Sequence, residues 1–170
     1  IHWLELEITR DLFAEKGKNL ILAAEMFETD NQLLIDEYFA DIIKESSFEK
    51  EVRLWKNYLT DYKPLLTFAK QNGLKFVASN IPRRYASVVA SGGFEALQKL
   101  SPEALKYIVP LPVIYDPEIP CYKDMLSMDG SIGGTPDNKV NENIPKAQAI
   151  KDATMASSIA DNLKSGQTLL

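Results

Sequence analysis

Two short apolar runs constrain the fold of this sequence more than any other feature. The first run is NLILAAEMF at 19–27, and the second is LKFVAS at 74–79. Runs of this kind are typical of strands that are covered on both faces, as in a parallel sheet. Helical patterns separate the two runs, and parallel strands need such crossovers. We therefore predict that Leu20–Phe27 and Leu74–Asn80 are buried, parallel, central strands.

Capping residues place the helices between and around these strands. Thr29 and Gln32 stand three apart and form a candidate capping box for a helix over about 31–44. Ser47 is expected to cap a second helix over about 48–59. Further helices are expected to end at Gly17 and Gly73, to begin at Arg83 and at Pro102, and to run from Pro145 to about Lys164.

The alternation of helices and apolar strands predicts an α/β fold. We expect a mainly parallel central sheet flanked by helices. No repeat or domain boundary is visible, so residues 1–170 are expected to form a single domain, with a long proline- and glycine-rich loop at about 108–144. The chain has no initial Met and ends as a strand begins, so we expect that it is truncated at both ends.

Charge and composition exclude several classes of protein. The net charge of -5 and the pI near 5.0 argue against a nucleic-acid-binding protein, which usually carries a basic surface for phosphates. The apolar runs are shorter than the roughly 20 residues of a membrane span. Cys121 and His2 are the single cysteine and histidine, so neither a cysteine zinc site nor a histidine-rich metal centre can form.

Polar residues follow the two predicted strands. Glu25 lies near the end of the first strand, Asn80 ends the second, and Arg83 follows within one helical turn. The carboxyl ends of parallel strands share one edge of the sheet, where ligands bind in open α/β folds. An unpaired buried carboxylate is costly, so we expect Glu25 to be buried and partnered. A purely structural ion pair or helix cap at Glu25 is an equally good interpretation.

Tyrosine is common in this chain, with seven residues. A tyrosinate oxygen is one of the protein groups that ligate ferric iron. Tyr85 follows Arg83 closely, and Tyr122 lies in the proline-rich segment, so these two are the better candidates. For most tyrosines, packing of an amphipathic ring against the core is the commoner explanation.

Three segments carry a resemblance to a known family: AAEMFETDNQLLIDEYF, WKNYLTDYKPLLTFAKQNGLKFVASNIPRRYASVVASGGFEAL and KAQAIKDATMASSIADNL. They resemble the ChaN-like family of haem-binding, iron-regulated bacterial lipoproteins. This family belongs to a superfamily with the Tiki proteases and the erythromycin-esterase-like proteins. Glu25, Asn80 and Arg83 match the polar cluster of the family. The G-E-x-H motif with which the family normally begins is not in this sequence, and His2 matches a later histidine.

The resemblance implies a three-layer α/β sandwich and a haem-binding protein of bacterial iron uptake. It would be a secreted lipoprotein of the cell envelope, anchored by lipid upstream of this chain, with haem held at a site that two chains could share. The alternative is a metal-dependent hydrolase of the Tiki or erythromycin-esterase-like type, although a working enzyme is not the favoured interpretation. Ile81, Val88 and Phe94 could form the apolar slot for the porphyrin. The candidate haem-binding residues are His2, Arg83, Arg84, Tyr85 and Tyr122.

Overall fold

The computed structural model describes residues 1–127 and 141–170, and these fall into two units. The sheet unit consists of Ile1–Asn80 and Ser158–Leu170, and the helical unit consists of Ile81–Ser157. Part of the loop expected at 108–144 lies outside the described residues.

A three-stranded parallel sheet forms the centre of the sheet unit. Strand β1 is Leu20–Glu28, β2 is Lys75–Asn80 and β3 is Thr168–Leu169, in the order β2-β1-β3. β1 pairs in parallel with both neighbours. The predicted α/β class, with a parallel sheet flanked by helices, is confirmed. The prediction that both long strands are central is correct for β1 but wrong for β2, which lies at one side of the described sheet.

Helices pack around this sheet. In chain order they are α1 His2–Lys16, α2 Gln32–Phe39, α3 Glu45–Glu51 and α4 Lys63–Asn72, with 3-10 turns at Gly17–Asn19 and Thr29–Asn31 and a π-helical turn at Tyr58–Tyr62. Phe27 of β1 is fully buried among aromatic rings, with its ring centroid 5.4 Å from that of Phe76 and 6.4 Å from that of Tyr58. Such edge-to-face pairs add to the burial of apolar area, so they fix the side chains of the core as well as stabilise it.

Three of the expected helix boundaries are wrong. The helix expected over 31–44 ends at Phe39, because the chain turns at Asp41, whose φ is 56°. The next helix, expected over about 48–59, begins at Glu45 and ends at Glu51. The Tyr38 hydroxyl of α2 donates to Glu45 Oε2 at 3.2 Å and so joins α2 to the start of this helix.

The capping box expected at Thr29 and Gln32 does not form, because the Gln32 amide bonds to β2. Gln32 Nε2 donates to the carbonyl of Phe76 at 2.9 Å, and Gln32 Oε1 accepts from the backbone N–H of Ala78 at 2.7 Å. β2 has no strand on this side among the described residues, so its backbone groups need other partners. One glutamine side chain supplies both a donor and an acceptor.

The helical unit is built around a small apolar core. Its helices are α5 Arg83–Gly92, α6 Pro102–Leu105, α7 Pro120–Ser127 and most of α8, which is Ile144–Asn162, with a 3-10 helix at Phe94–Lys99. Val89, Leu97 and Ile150 are fully buried in the core of this unit. Helix α6 begins with the expected Ser101 cap, whose hydroxyl accepts from Ala104 N at 3.3 Å. Helix α7 lies within the segment that was expected to be a loop.

We predict that Gln32→Leu lowers the free energy of unfolding by about 1–3 kcal/mol, because the buried Ala78 N–H loses its acceptor. Urea denaturation followed by circular dichroism measures the change. Gln71→Leu is the matched control, since Gln71 is exposed on α4 and should change stability by less than about 0.5 kcal/mol. Equal effects of the two substitutions would show that the bonds to β2 contribute nothing.

Candidate functional site

The carboxyl ends of β1 and β2 bring Glu25 and Asn80 together, as predicted. The pairing of the strands is irregular between Ala24 and Glu28, and Glu28 then stands opposite Asn80. Asn80 Nδ2 donates to the backbone carbonyl of Glu25 at 3.0 Å. The contact therefore joins a side chain to the backbone. It supplies a hydrogen bond where the pairing of the two strands is irregular.

The prediction that Glu25 is buried and partnered is wrong. Its side chain is exposed, and no hydrogen bond or ion pair engages its carboxylate among the described residues. Glu25 lies in the part of β1 where the pairing is irregular, between Ala24 and Glu28, and its side chain is open to solvent there.

Glu28 is the buried carboxylate at this end of the sheet. It is 9% exposed, and its Oε2 lies 2.9 Å from Arg53 Nε and 2.7 Å from Arg53 Nη2. Asp30 also pairs with Arg53. The buried, partnered carboxylate at this strand end is therefore Glu28, three residues after the position that the sequence predicted. No spacing pattern in the sequence links Arg53 to the strand end.

His2 lies at the start of α1 between two carboxylates. Its Nδ1 is 3.0 Å from Glu5 Oε2, and its Nε2 is 3.6 Å from Asp61 Oδ2. The ring also packs edge-on against Tyr62, with centroids 4.7 Å apart. The pKa of Asp61 is lowered mainly by hydrogen bonds from Asn57 and Thr60, and His2 adds to this effect. His2 belongs to the sheet unit, whereas the other haem-binding candidates belong to the helical unit.

The first turn of α5 carries Arg83, Arg84 and Tyr85. Both arginines are exposed, while Tyr85 is buried in the core of the helical unit. Arg84 lies over the Tyr85 ring at 4.4 Å, and its Nη2 donates to the Tyr85 hydroxyl at 3.2 Å. The aromatic ring and the hydroxyl of Tyr85 are therefore both engaged by its neighbour.

Tyr122 is buried on α7 and bonded to α8. Its hydroxyl donates to Asp152 Oδ2 at 3.0 Å, and Gln148 Nε2 donates to Asp152 Oδ1 at 2.8 Å. Burial, followed by the bond to Asp152, raises the pKa of Tyr122 to about 12. The phenol therefore keeps its proton at neutral pH.

A cleft of about 500 Å³ lies in the helical unit, with walls formed by α5 and α8. Residues that are three or four positions apart on a helix share one face, and the residues of α5 and α8 that line the cleft have this spacing. Arg83 and Lys151 are its cations, and Met125 of α7 contributes a thioether. The remaining lining residues are small, apolar or neutral: Ala86, Ser87, Ala90, Ile144, Ala147 and Gln148.

The sheet unit has a second cleft, of about 330 Å³. It lies between α1 and β1, and its charged lining residues are the two acids Glu5 and Glu25. The two clefts therefore differ in the sign of their charge. Ile81, which was expected to line an apolar slot, lines neither cleft, because it is 2% exposed within the core of the helical unit.

The described residues contain neither a candidate metal-binding cluster nor a candidate membrane-spanning helix. Within 1–127 and 141–170, no three His, Cys, Asp or Glu side chains come together in an arrangement that could hold a metal ion. None of the helices in the same ranges combines the length and the apolar character needed to cross a membrane.

The described residues define an α/β protein whose clefts are of the size that binds small molecules. The family described as "Haem-binding uptake, Tiki superfamily, ChaN" matches residues 1–170, and the chain belongs to this family. Over 104 residues the chain is 30% identical to "Protein RETICULATA-RELATED 5, chloroplastic" of Arabidopsis thaliana. The match covers 56% of this chain and spans 14% of the length of that relative. No solved structure matches the chain.

We predict that Arg53→Met lowers the free energy of unfolding by about 1–3 kcal/mol, because Glu28 would remain buried without its cation. Chemical denaturation at neutral pH measures the loss. Arg10→Met is the control, since Arg10 forms an exposed pair with Glu7 and such pairs contribute about 0–1 kcal/mol. The role given to Glu28 would be refuted by an Arg53 variant as stable as the wild type.

Proposed function

We propose that this chain binds haem in the cleft of the helical unit and takes part in iron uptake. The observation that carries the proposal is the pair of cations, Arg83 and Lys151, in a cleft whose other described lining residues are uncharged, in a chain that belongs to a haem-binding family. Haem joins an apolar macrocycle to two propionates, so its site needs apolar walls and cations together.

The residues of this cleft fit such a ligand. Its volume of about 500 Å³ lies within the range of ligand pockets. Ala86, Ala90 and Ala147 offer apolar surface without bulk, while Arg83 and Lys151 can pair with the propionates. Haem, when bound, supplies the iron that is carried.

The cleft of the sheet unit fits haem less well. Its charged lining residues are Glu5 and Glu25, which would repel the propionates. The exposed Arg84 is engaged with Tyr85, so Arg83 is the better propionate partner of the two arginines.

We further propose that the protein works in a bacterial cell envelope as a lipoprotein. Two chains would share its haem site. The support for it is the word "uptake" in the family description and the sequence resemblance stated above. The name of the plant relative places that protein in the chloroplast, and a chloroplast location is the competing proposal for this chain. Fractionation of cells that express the tagged full-length protein, with labelling for a lipid anchor, distinguishes the two locations.

We predict that Arg83→Glu and Lys151→Glu each raise the Kd for haem by about tenfold, because each variant removes an attraction and adds a repulsion. Titration of the protein into haem, followed by the Soret band, gives the Kd. Lys99→Glu is the control with the same change in charge, since Lys99 is exposed in the same unit and does not line this cleft.

Two results would contradict this proposal. Saturable binding could be absent in the wild-type protein, or all three variants could weaken binding equally. The second result would indicate attraction by net charge alone and not a site.

A further inference from the structure

Met125 lies where a ligand in the cleft would meet it. It is half-buried on α7, and it lines the cleft together with Arg83 and Lys151. Among the described residues, no hydrogen bond or ion pair engages its sulfur. A thioether is a soft, neutral donor that ligates haem iron in several classes of protein.

The other candidate ligands already have partners. The His2 ring lies between Glu5 and Asp61 in the sheet unit. In the helical unit, the Tyr85 hydroxyl accepts from Arg84, and the Tyr122 hydroxyl donates to Asp152. A phenol must also lose its proton to bind ferric iron, whereas a thioether has no proton to lose.

The bond from Tyr122 to Asp152 joins α7, which carries Met125, to α8. Tyr122 and Met125 are three residues apart on α7, so they lie on neighbouring parts of one helix face. Asp152 also accepts from Gln148, which lines the cleft. Tyr122 is thus a positioning residue that holds α7 against α8.

We propose that the Met125 sulfur is the axial ligand of haem in this cleft, and that the cleft consequently holds ferrous haem more tightly than ferric haem. This inference rests on the function proposed above. A soft donor favours the softer ferrous ion, so the difference in affinity follows from the ligand type. By linkage, each tenfold by which the ferrous affinity exceeds the ferric affinity raises the midpoint potential of the bound haem by about 59 mV.

The test uses the full chain with ferric and dithionite-reduced haem. We expect Met125→Leu to weaken ferrous binding by about tenfold or more, to abolish the thioether-type visible bands and to lower the midpoint potential. Met155→Leu is the matched control, because Met155 is half-buried on α8 and does not line the cleft. Met125→His should give a histidine-type spectrum, which a merely structural role of Met125 would not produce.

The Tyr122→Phe variant and the pH dependence of haem binding distinguish Met125 from Tyr122 as the ligand. If a tyrosinate were the ligand, binding would release a proton, and the ferric affinity would rise about tenfold per pH unit below the pKa of the phenol. With Met125 as ligand, the ferrous affinity should not change in this way between pH 7 and 9. We expect Tyr122→Phe to keep the thioether-type spectrum and to weaken binding only modestly.

The possible outcomes separate this inference from the proposed function. If wild-type protein shows no saturable haem binding, both fail. If Arg83→Glu and Lys151→Glu weaken binding while Met125→Leu leaves the spectrum and potential unchanged, the function stands and the inference is overturned. Loss of the wild-type spectrum in Tyr122→Phe, with Met125→Leu unaffected, would make Tyr122 the ligand.

Discussion

The parallel pairing of β1 with β2 is the interaction on which the sheet unit depends. Both strands are apolar and buried, so every backbone group that they carry needs a partner inside the protein. The two strands satisfy each other along their shared edge. Gln32 forms hydrogen bonds with the outer edge of β2, and Asn80 donates a hydrogen bond to the Glu25 carbonyl where the pairing becomes irregular. Two amide side chains therefore complete hydrogen bonding that the strands alone leave incomplete.

The sequence predicted those features of the fold that local patterns determine. The apolar runs identified β1 and β2, and Gly73 ends α4 in the left-handed conformation with φ of 62°. Gln32 shows the limit of such reasoning. Its spacing from Thr29 satisfies the rule for a capping box, but the backbone of β2, 44 residues away, competes for the same amide. A local rule cannot include a partner that only the tertiary fold brings close.

The candidate site was predictable in its residue types but not in its contacts. Arg83 lines a cleft of the helical unit, whereas the sequence predicted that it meets Glu25 and Asn80 at the sheet edge. No helical period places the side chains of the proline- and glycine-rich segment, so the position of Met125 on α7 could not be predicted. Glu25 shows the reverse case, since a strand covered on both faces would bury it, whereas its side chain is exposed where the pairing is irregular.

Charge alone does not select the iron ligand in the helical unit. Ferrous haem with a neutral thioether and ferric haem with a tyrosinate carry the same total charge, because the extra positive charge on ferric iron cancels that of the phenolate. Arg83 and Lys151 would therefore balance either complex equally well. The proton distinguishes them, since Tyr122 must give up both its proton and its bond to Asp152 before it can bind iron. A high phenol pKa opposes that loss, and Met125 requires neither change.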